Sequence, residues 1–125
     1  MKKVIHTEKA PAAVGPYSQA IQAGNTVYVS GQIPLDPATG TLVDGDIQAQ
    51  TKRIFENIRA ILQEAGGDLS NIVKTFVCLT DISDFGKVNE TYATFFTDAF
   101  PARSCVEVSN LPKGAQIEIE CVAVL

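Results

Sequence analysis

Two hydrophobic periods divide this chain into elements: alternation at every second residue, expected of strands, and recurrence every three or four residues, expected of helices. Residues 2–7 read as a short strand. Residues 8–16, rich in Ala and Pro and ending in Gly15-Pro16, read as an ordered loop. Two strand-like runs follow, about 17–23 and 26–32, separated by Gly24-Asn25, a pair suited to a hairpin turn. Pro34, Asp36-Pro37, Gly40 and Gly45 make the next stretch a loop with tight turns. From about Asp46 to Ala65 the apolar residues Ile47, Ile54, Phe55, Ile58, Ile61, Leu62 and Ala65 recur at helical spacing. Asp46 supplies the N-cap of that helix and Gly66-Gly67 its stop.

Residues 72–80 form a β-branched run that is apolar on both faces, as in a strand inside a sheet covered on both sides. A second helix is predicted from about Asp84 to Ala99, with Phe85, Val88, Tyr92, Phe95 and Phe96 on one stripe and Phe100-Pro101 at its end. The last strands, about 102–109 and 116–124, are joined by Leu111-Pro112-Lys113-Gly114. The order ββ(β)αβαββ predicts an α+β domain with two helices packed on one face of the sheet. No repeat, low-complexity tract or linker divides it, so residues 1–125 read as a single domain. Two helices cover only one sheet face. The other face, carrying Val27 or Tyr28 and part of the 72–80 strand, predicts a homo-oligomer.

With 46 % hydrophobic and 19 % charged residues, disorder is not expected. The net charge of −4 repels phosphate backbones, and the ten Lys and Arg residues gather only into the pairs Lys2-Lys3 and Lys52-Arg53. A nucleic-acid partner is therefore not expected. Neither a signal-peptide pattern nor a membrane-length apolar run is present. Cys78, Cys105 and Cys121 match no metal motif, and an odd count without a secretion signal points to reduced thiols and a cytoplasmic location.

Alternation places Arg103, Cys105, Glu107 and Ser109 on one face of their strand. In the final strand Ile117, Ile119, Cys121 and Ala123 oppose Gln116, Glu118, Glu120, Val122 and Val124. If these strands pair as a hairpin, Arg103 and Cys105 share a surface with Glu118 and Glu120, away from the helices. Pattern alone favours a cross-strand ion pair there over a catalytic set. Glu107 and Glu120 read as solvated or structural, and the lone His6 as an ordinary residue near the terminus. No Ser-His-Asp set, P-loop, HExxH or GxGxxG is present, so composition identifies no active site.

The run Pro101-Ala102-Arg103-Ser104-Cys105-Val106-Glu107-Val108, with Leu111-Pro112-Lys113 and Ile117-Glu118-Ile119-Glu120 after it, resembles the signature of the Rid (YjgF/YER057c) family, in particular its RidA branch of enamine/imine deaminases. Ala10 to Gln19 resembles the family's amino-terminal segment, Ser30-Gly31-Gln32-Ile33-Pro34 its second motif, and Asp84-Phe85 through Asn89 the start of its second helix. The resemblance implies a chorismate-mutase-like fold assembling as a homotrimer, with a cleft between each pair of neighbouring subunits. It also implies the reaction: hydrolysis of 2-iminobutanoate and 2-iminopropanoate, released by pyridoxal-phosphate dehydratases, to 2-oxo acids and ammonia. One departure is Ser109-Asn110, where close relatives usually carry Ala-Arg; the missing arginine bears on a subunit contact or on the charge around the cleft.

The residues make physical sense for that task. Arg103 can hold a substrate carboxylate through two parallel charge-assisted hydrogen bonds. Glu118 can position a water and take its proton during attack at the imine carbon. Desolvation raises its pKa from about 4.3, against the pull of a neighbouring Arg103. A protonated imine is already electrophilic, so orientation supplies much of the help and no metal or organic cofactor is needed. Tyr17 is a cleft wall or a loop anchor. Ser30 and Gly31 fit a strand edge where a ligand approaches backbone, or a bulge. Phe85 is an apolar wall or core, and Asn89 a ligand contact or a cap for a neighbouring group. Cys105, with no histidine near it in sequence, reads as a cleft-lining residue whose backbone groups matter, not a nucleophile. The competing readings are a trimeric 2-oxo-acid-binding module without useful turnover, a ribonuclease, and a stress-induced chaperone. Retention of Glu118 favours turnover over simple carboxylate binding, and the acidic composition without a basic stripe disfavours the ribonuclease.

Overall fold

A computed structural model describes residues 1–125. The strands are β1 (Lys2–Ile5), β2 (Ala20–Ala23), β3 (Thr26–Gln32), β4 (Ile72–Leu79), β5 (Ala102–Glu107) and β6 (Ile117–Val124); the helices are α1 (Ile47–Glu64) and α2 (Phe85–Ala93). One mixed sheet has the order β1-β2-β3-β6-β4-β5, antiparallel except for β4 beside β5. The fold is α+β, as the element order predicts. No helix is long and apolar enough to cross a membrane.

The hairpin expected of the last two strands does not form. A strand reached through a crossover helix runs parallel to its predecessor, so α2 delivers β5 to the outer side of β4. The chain then wraps the end of β4, where Val108 N donates to Leu79 O (2.8 Å) and Thr80 N to Gln116 O (3.1 Å). β6 enters the slot between β3 and β4.

Helix α1 begins where Asp46 accepts a hydrogen bond from Ala49 N at 2.9 Å, satisfying one of the amides a helix start leaves free. Its stripe of Ile47, Ile54, Phe55, Ile58, Ile61 and Leu62 is buried against the sheet, each side chain worth about 2 kcal/mol of apolar burial. Helix α2 is shorter than the periodicity predicts, ending at Ala93. Beyond it Thr94, Phe95 and Phe96 bond to the carbonyls three residues back, tightening the turn. The tightened turn brings Phe95 and Phe96 onto Phe55, at ring centroids of 4.9 and 5.7 Å. The apolar stripe thus persists where the α-helix has stopped.

Strand β2 starts at Ala20, because residues 17–19 belong to the preceding loop. Both helices lie on the face that carries Val27, Thr75, Val77, Leu79, Ile117, Ile119 and Cys121, all buried. The opposite face presents Tyr28, Phe76 and Val106, exposed by 53, 36 and 40 %. Of the two candidates for that open face, Tyr28 lies on it and Val27 on the helix side. The 72–80 strand is therefore apolar on both sides but covered within the chain on one.

Candidate active site

The predicted site residues fall into two groups on opposite faces of the sheet. Arg103 stands beside Thr75 in the parallel β4–β5 ladder, and Thr75 faces the helices. The guanidinium accordingly rests against α2: its Nη1 donates to Asn89 Oδ1 at 2.7 Å, and its Cζ lies 5.2 Å from the Phe85 ring centroid and 4.8 Å from that of Tyr92. Both distances suit cation–π attraction. Arg103 forms no ion pair within the chain, whose salt bridges are Arg53–Glu56 and Arg59–Asp68. Its side chain lines a cavity of about 420 Å³ with Asn89, Tyr92, Ala93, Phe100 and Pro101.

Glu118 occupies the open face, paired across the ladder with Cys78. The surface expected to unite Arg103 and Cys105 with Glu118 and Glu120 therefore does not exist in one chain. A shared surface requires a β5–β6 hairpin, whereas β4 intervenes and the arginine-bearing side of β5 turns toward α2. Glu118 lies instead in a cavity of about 560 Å³ walled by Tyr17, Ser30, Gly31, Lys113 and Glu120, together with loop residues such as Pro11 and Val14. Burial, then the charge of Glu120, pushes the Glu118 carboxyl above the usual carboxylate range. Arg103 of the same chain, on the other face, is not among the causes. No group in the chain hydrogen-bonds to the Glu118 carboxylate.

Gly31 is explained by that carboxylate. A Cβ there would fall 2.7 Å from Glu118 Oε1 and 2.8 Å from its Cδ, closer than real contacts allow. The β3–β6 register also shifts between Val29 and Gln32, which bears out the bulge reading; the group that approaches the backbone at Gly31 within the chain is the Glu118 side chain. Ser30 is committed within the chain: its Oγ donates to Ser18 O at 2.6 Å and its N to Gln19 O at 2.9 Å. These bonds tie β3 to the loop carrying Tyr17, whose side chain is half exposed over the cavity.

Asn89 accepts from Arg103 and lines the same cavity. Phe85, 36 % exposed, packs on the guanidinium and not in the core. Cys105 shares the helix side with Arg103, packs against the core and lines neither cavity. Burial raises its thiol pKa, with Arg103 opposing, so it is a poor nucleophile. Burial likewise pushes the Cys121 thiol up to about 12. No three His, Cys, Asp or Glu side chains gather where they could hold a metal ion.

Two supporting residues escaped the sequence reading. Gln19, 2 % exposed, accepts from Thr7 N (2.7 Å) and donates to Thr7 O and Pro11 O (2.9 and 2.8 Å), pinning the amino-terminal loop that walls the Glu118 cavity. Its signal was a glutamine beside the apolar run of β2. Tyr92, read only as a core position, has its hydroxyl 2.7 Å from Thr75 Oγ1, with both residues buried.

Comparison with known proteins finds relatives over nearly the whole chain. The sequence model described as Endoribonuclease L-PSP matches residues 7–125. A RutC family protein of Pyrococcus abyssi is 57 % identical over 98 % of this chain and 96 % of its own length. The 2-iminobutanoate/2-iminopropanoate deaminase of Mus musculus is 51 % identical over 99 % of this chain and 92 % of its own. Among solved structures, a Rid family protein of unknown function from Yersinia pestis superposes with a TM-score of 0.97 at 51 % identity, each chain covered completely. TdcF of E. coli with bound serine gives 0.94 at 44 % identity, covering 98 % of each chain. With a family model spanning nearly the whole chain and relatives sharing half its residues, this protein belongs to the Rid (YjgF/YER057c) family.

Proposed function

We propose that the protein is a homotrimeric 2-iminobutanoate/2-iminopropanoate deaminase, acting in the cytoplasm on imines released by pyridoxal-phosphate enzymes. The observation that carries this reading is the Arg103 guanidinium, unpaired within the chain and lining a cavity. It is always charged and suits a planar carboxylate. The second requirement is a proton acceptor, and Glu118 lies in a cavity of its own with a raised pKa.

The two cavities belong to opposite faces, and β5 is two strands from β6, roughly 10 Å at the usual spacing. A cleft holding both residues is built when Arg103 of one subunit meets Glu118 of the next. The apolar open face with Tyr28, Phe76 and Val106 supplies a surface for that assembly. In such a cleft the substrate carboxylate lies on Arg103, oriented by Asn89. Glu118 receives a proton from a water as its oxygen adds to the imine carbon. Glu118 returns that proton to the nitrogen of the resulting carbinolamine and takes the hydroxyl proton as the carbonyl forms; the C–N bond breaks, ammonia leaves, and the 2-oxo acid remains. Tyr17 and the backbone at Ser30 and Gly31 shape the wall beside the reacting carbon.

Subunit mixing tests both the chemistry and the cleft. Imine is generated from threonine by a dehydratase, and the residue is trapped with semicarbazide. Arg103→Ala and Glu118→Gln are each expected to be inactive alone. Unfolded and refolded together in equal amounts, they should regain about one quarter of wild-type activity, because each cleft draws its two residues independently. No recovery, with trimers present by sedimentation, would place both residues in one chain's site and sink the shared cleft. If the wild type binds 2-oxobutanoate without accelerating imine loss, the reading becomes that of a metabolite-binding module. RNA cleavage by the wild type that survives Glu118→Gln would favour the ribonuclease reading.

A further inference from the structure

We propose that Tyr92, tethered by Thr75, is a positioning residue that fixes the plane of the Arg103 guanidinium for carboxylate binding; this rests on the function proposed above. Arg103 reaches α2 through a long, rotatable side chain, and Asn89 restrains only one of its nitrogens, Nη1. A single hydrogen bond leaves the guanidinium free to swing about that point. The Tyr92 ring, with its centroid 4.8 Å from Cζ, and Phe85, at 5.2 Å, supply the missing restraint. An aromatic face attracts a cation and limits its tilt. Two donors of a fork must meet two carboxylate oxygens together, so the orientation of the plane governs binding.

The ring's own position is set with respect to the same strand pair. Tyr92 OH lies 2.7 Å from Thr75 Oγ1, and Thr75 stands directly beside Arg103 in the β4–β5 ladder. The base of the arginine and the platform under its head group therefore share one reference. Phe55 packs edge-on against Tyr92 at 5.3 Å, and the Phe96 ring lies tilted 5.1 Å from Tyr92, so the ring is confined from the core side as well. A phenylalanine would fill this space equally well. The hydroxyl has a use only as the tether, since both it and its threonine partner are buried.

Fluorination tests the ring at nearly constant shape, because fluorine withdraws the charge that attracts the cation. In a Thr75→Val background, where no hydroxyl is stranded, full-length protein is made with Tyr92→Phe, with trifluorophenylalanine at 92, and with Tyr92→Leu. KM for the imine, kcat, the 2-oxobutanoate Kd and the melting temperature are compared within the series. KM and Kd should rise stepwise from Phe through trifluorophenylalanine to Leu, reaching about tenfold, with kcat changing far less. The two phenylalanine forms should melt together. If the Leu variant fails to fold, the fluorinated pair alone decides. Equal KM and Kd in that pair, with the wild type active, would overturn the role of Tyr92 and leave the proposed function standing. A wild type that neither hydrolyses imine nor binds 2-oxobutanoate would overturn both.

Discussion

Around Arg103 every contact restrains the charged group: an amide oxygen accepts from it, two aromatic rings flank it, and a strand neighbour tethers one of those rings. Around Glu118 nothing bonds to the carboxylate; a glycine makes room for it, and burial with a like charge discourages ionisation. The contrast matches two different tasks. A group that orients an anion gains from being fixed and permanently charged. A group that takes up a proton gains from a raised pKa and from lone pairs left free for water.

Removing the fixed charge should have the largest effect. Arg103→Ala should lower kcat/KM at least about 10³-fold, since a bidentate charge-assisted contact is lost. The protein should stay folded, with melting lowered by only a few degrees for the lost packing on Tyr92 and Phe85. Melting near room temperature would show that Arg103 builds the core. Phe76→Asp should have a comparable effect by another route. It puts a charge on the apolar open face, so sedimentation should report a smaller species, inactive yet with an unchanged far-UV spectrum. A fully active monomer would end the argument for a shared cleft.

Glu118→Gln should cost about 10²–10⁴-fold in kcat while 2-oxobutanoate still binds as well or better, because only the proton acceptor is lost. Gly31→Ala should be milder, roughly ten- to a hundredfold, since its Cβ displaces the carboxylate without removing it. Unchanged kinetics in that variant would mean that the close approach is structural only.

The smallest effect is in pH dependence. Wild-type rate should fall on the acid side through a pKa above the ordinary carboxylate value of about 4.3, and this limb should vanish in Glu118→Gln. The same shift affects stability. With its folded pKa raised, Glu118 favours the folded state while protonated, and that contribution disappears as pH rises through the folded value. Glu118→Gln should therefore be more stable than the wild type near neutrality, with the difference gone below the ordinary carboxylate range. Urea midpoints at the two pH values check the sign.

Local elements were legible because local chemistry fixes them. The β3 bounds and the α1 cap at Asp46 follow from alternation, helical spacing and one carboxylate. The end of α2 was not, because Phe95 and Phe96 satisfy the same apolar stripe from a tightened turn as from an α-helix. Candidate site residues were nameable through the family likeness, but their grouping was not. Asn89 and Tyr92 approach Arg103 from another element, and nothing in their spacing along the chain reveals it.

Alternation along each strand already tells which residues face inward and which outward, and hence that Glu118 opposes Ile117 and Ile119. The count of two helices likewise leaves one sheet face without helical cover. Which face of the sheet each strand's inward side joins is set by the folded chain alone. That choice depends on strand order, and a crossover through α2 placed β5 beyond β4, turning Arg103 toward the helices and leaving Glu118 on the open side.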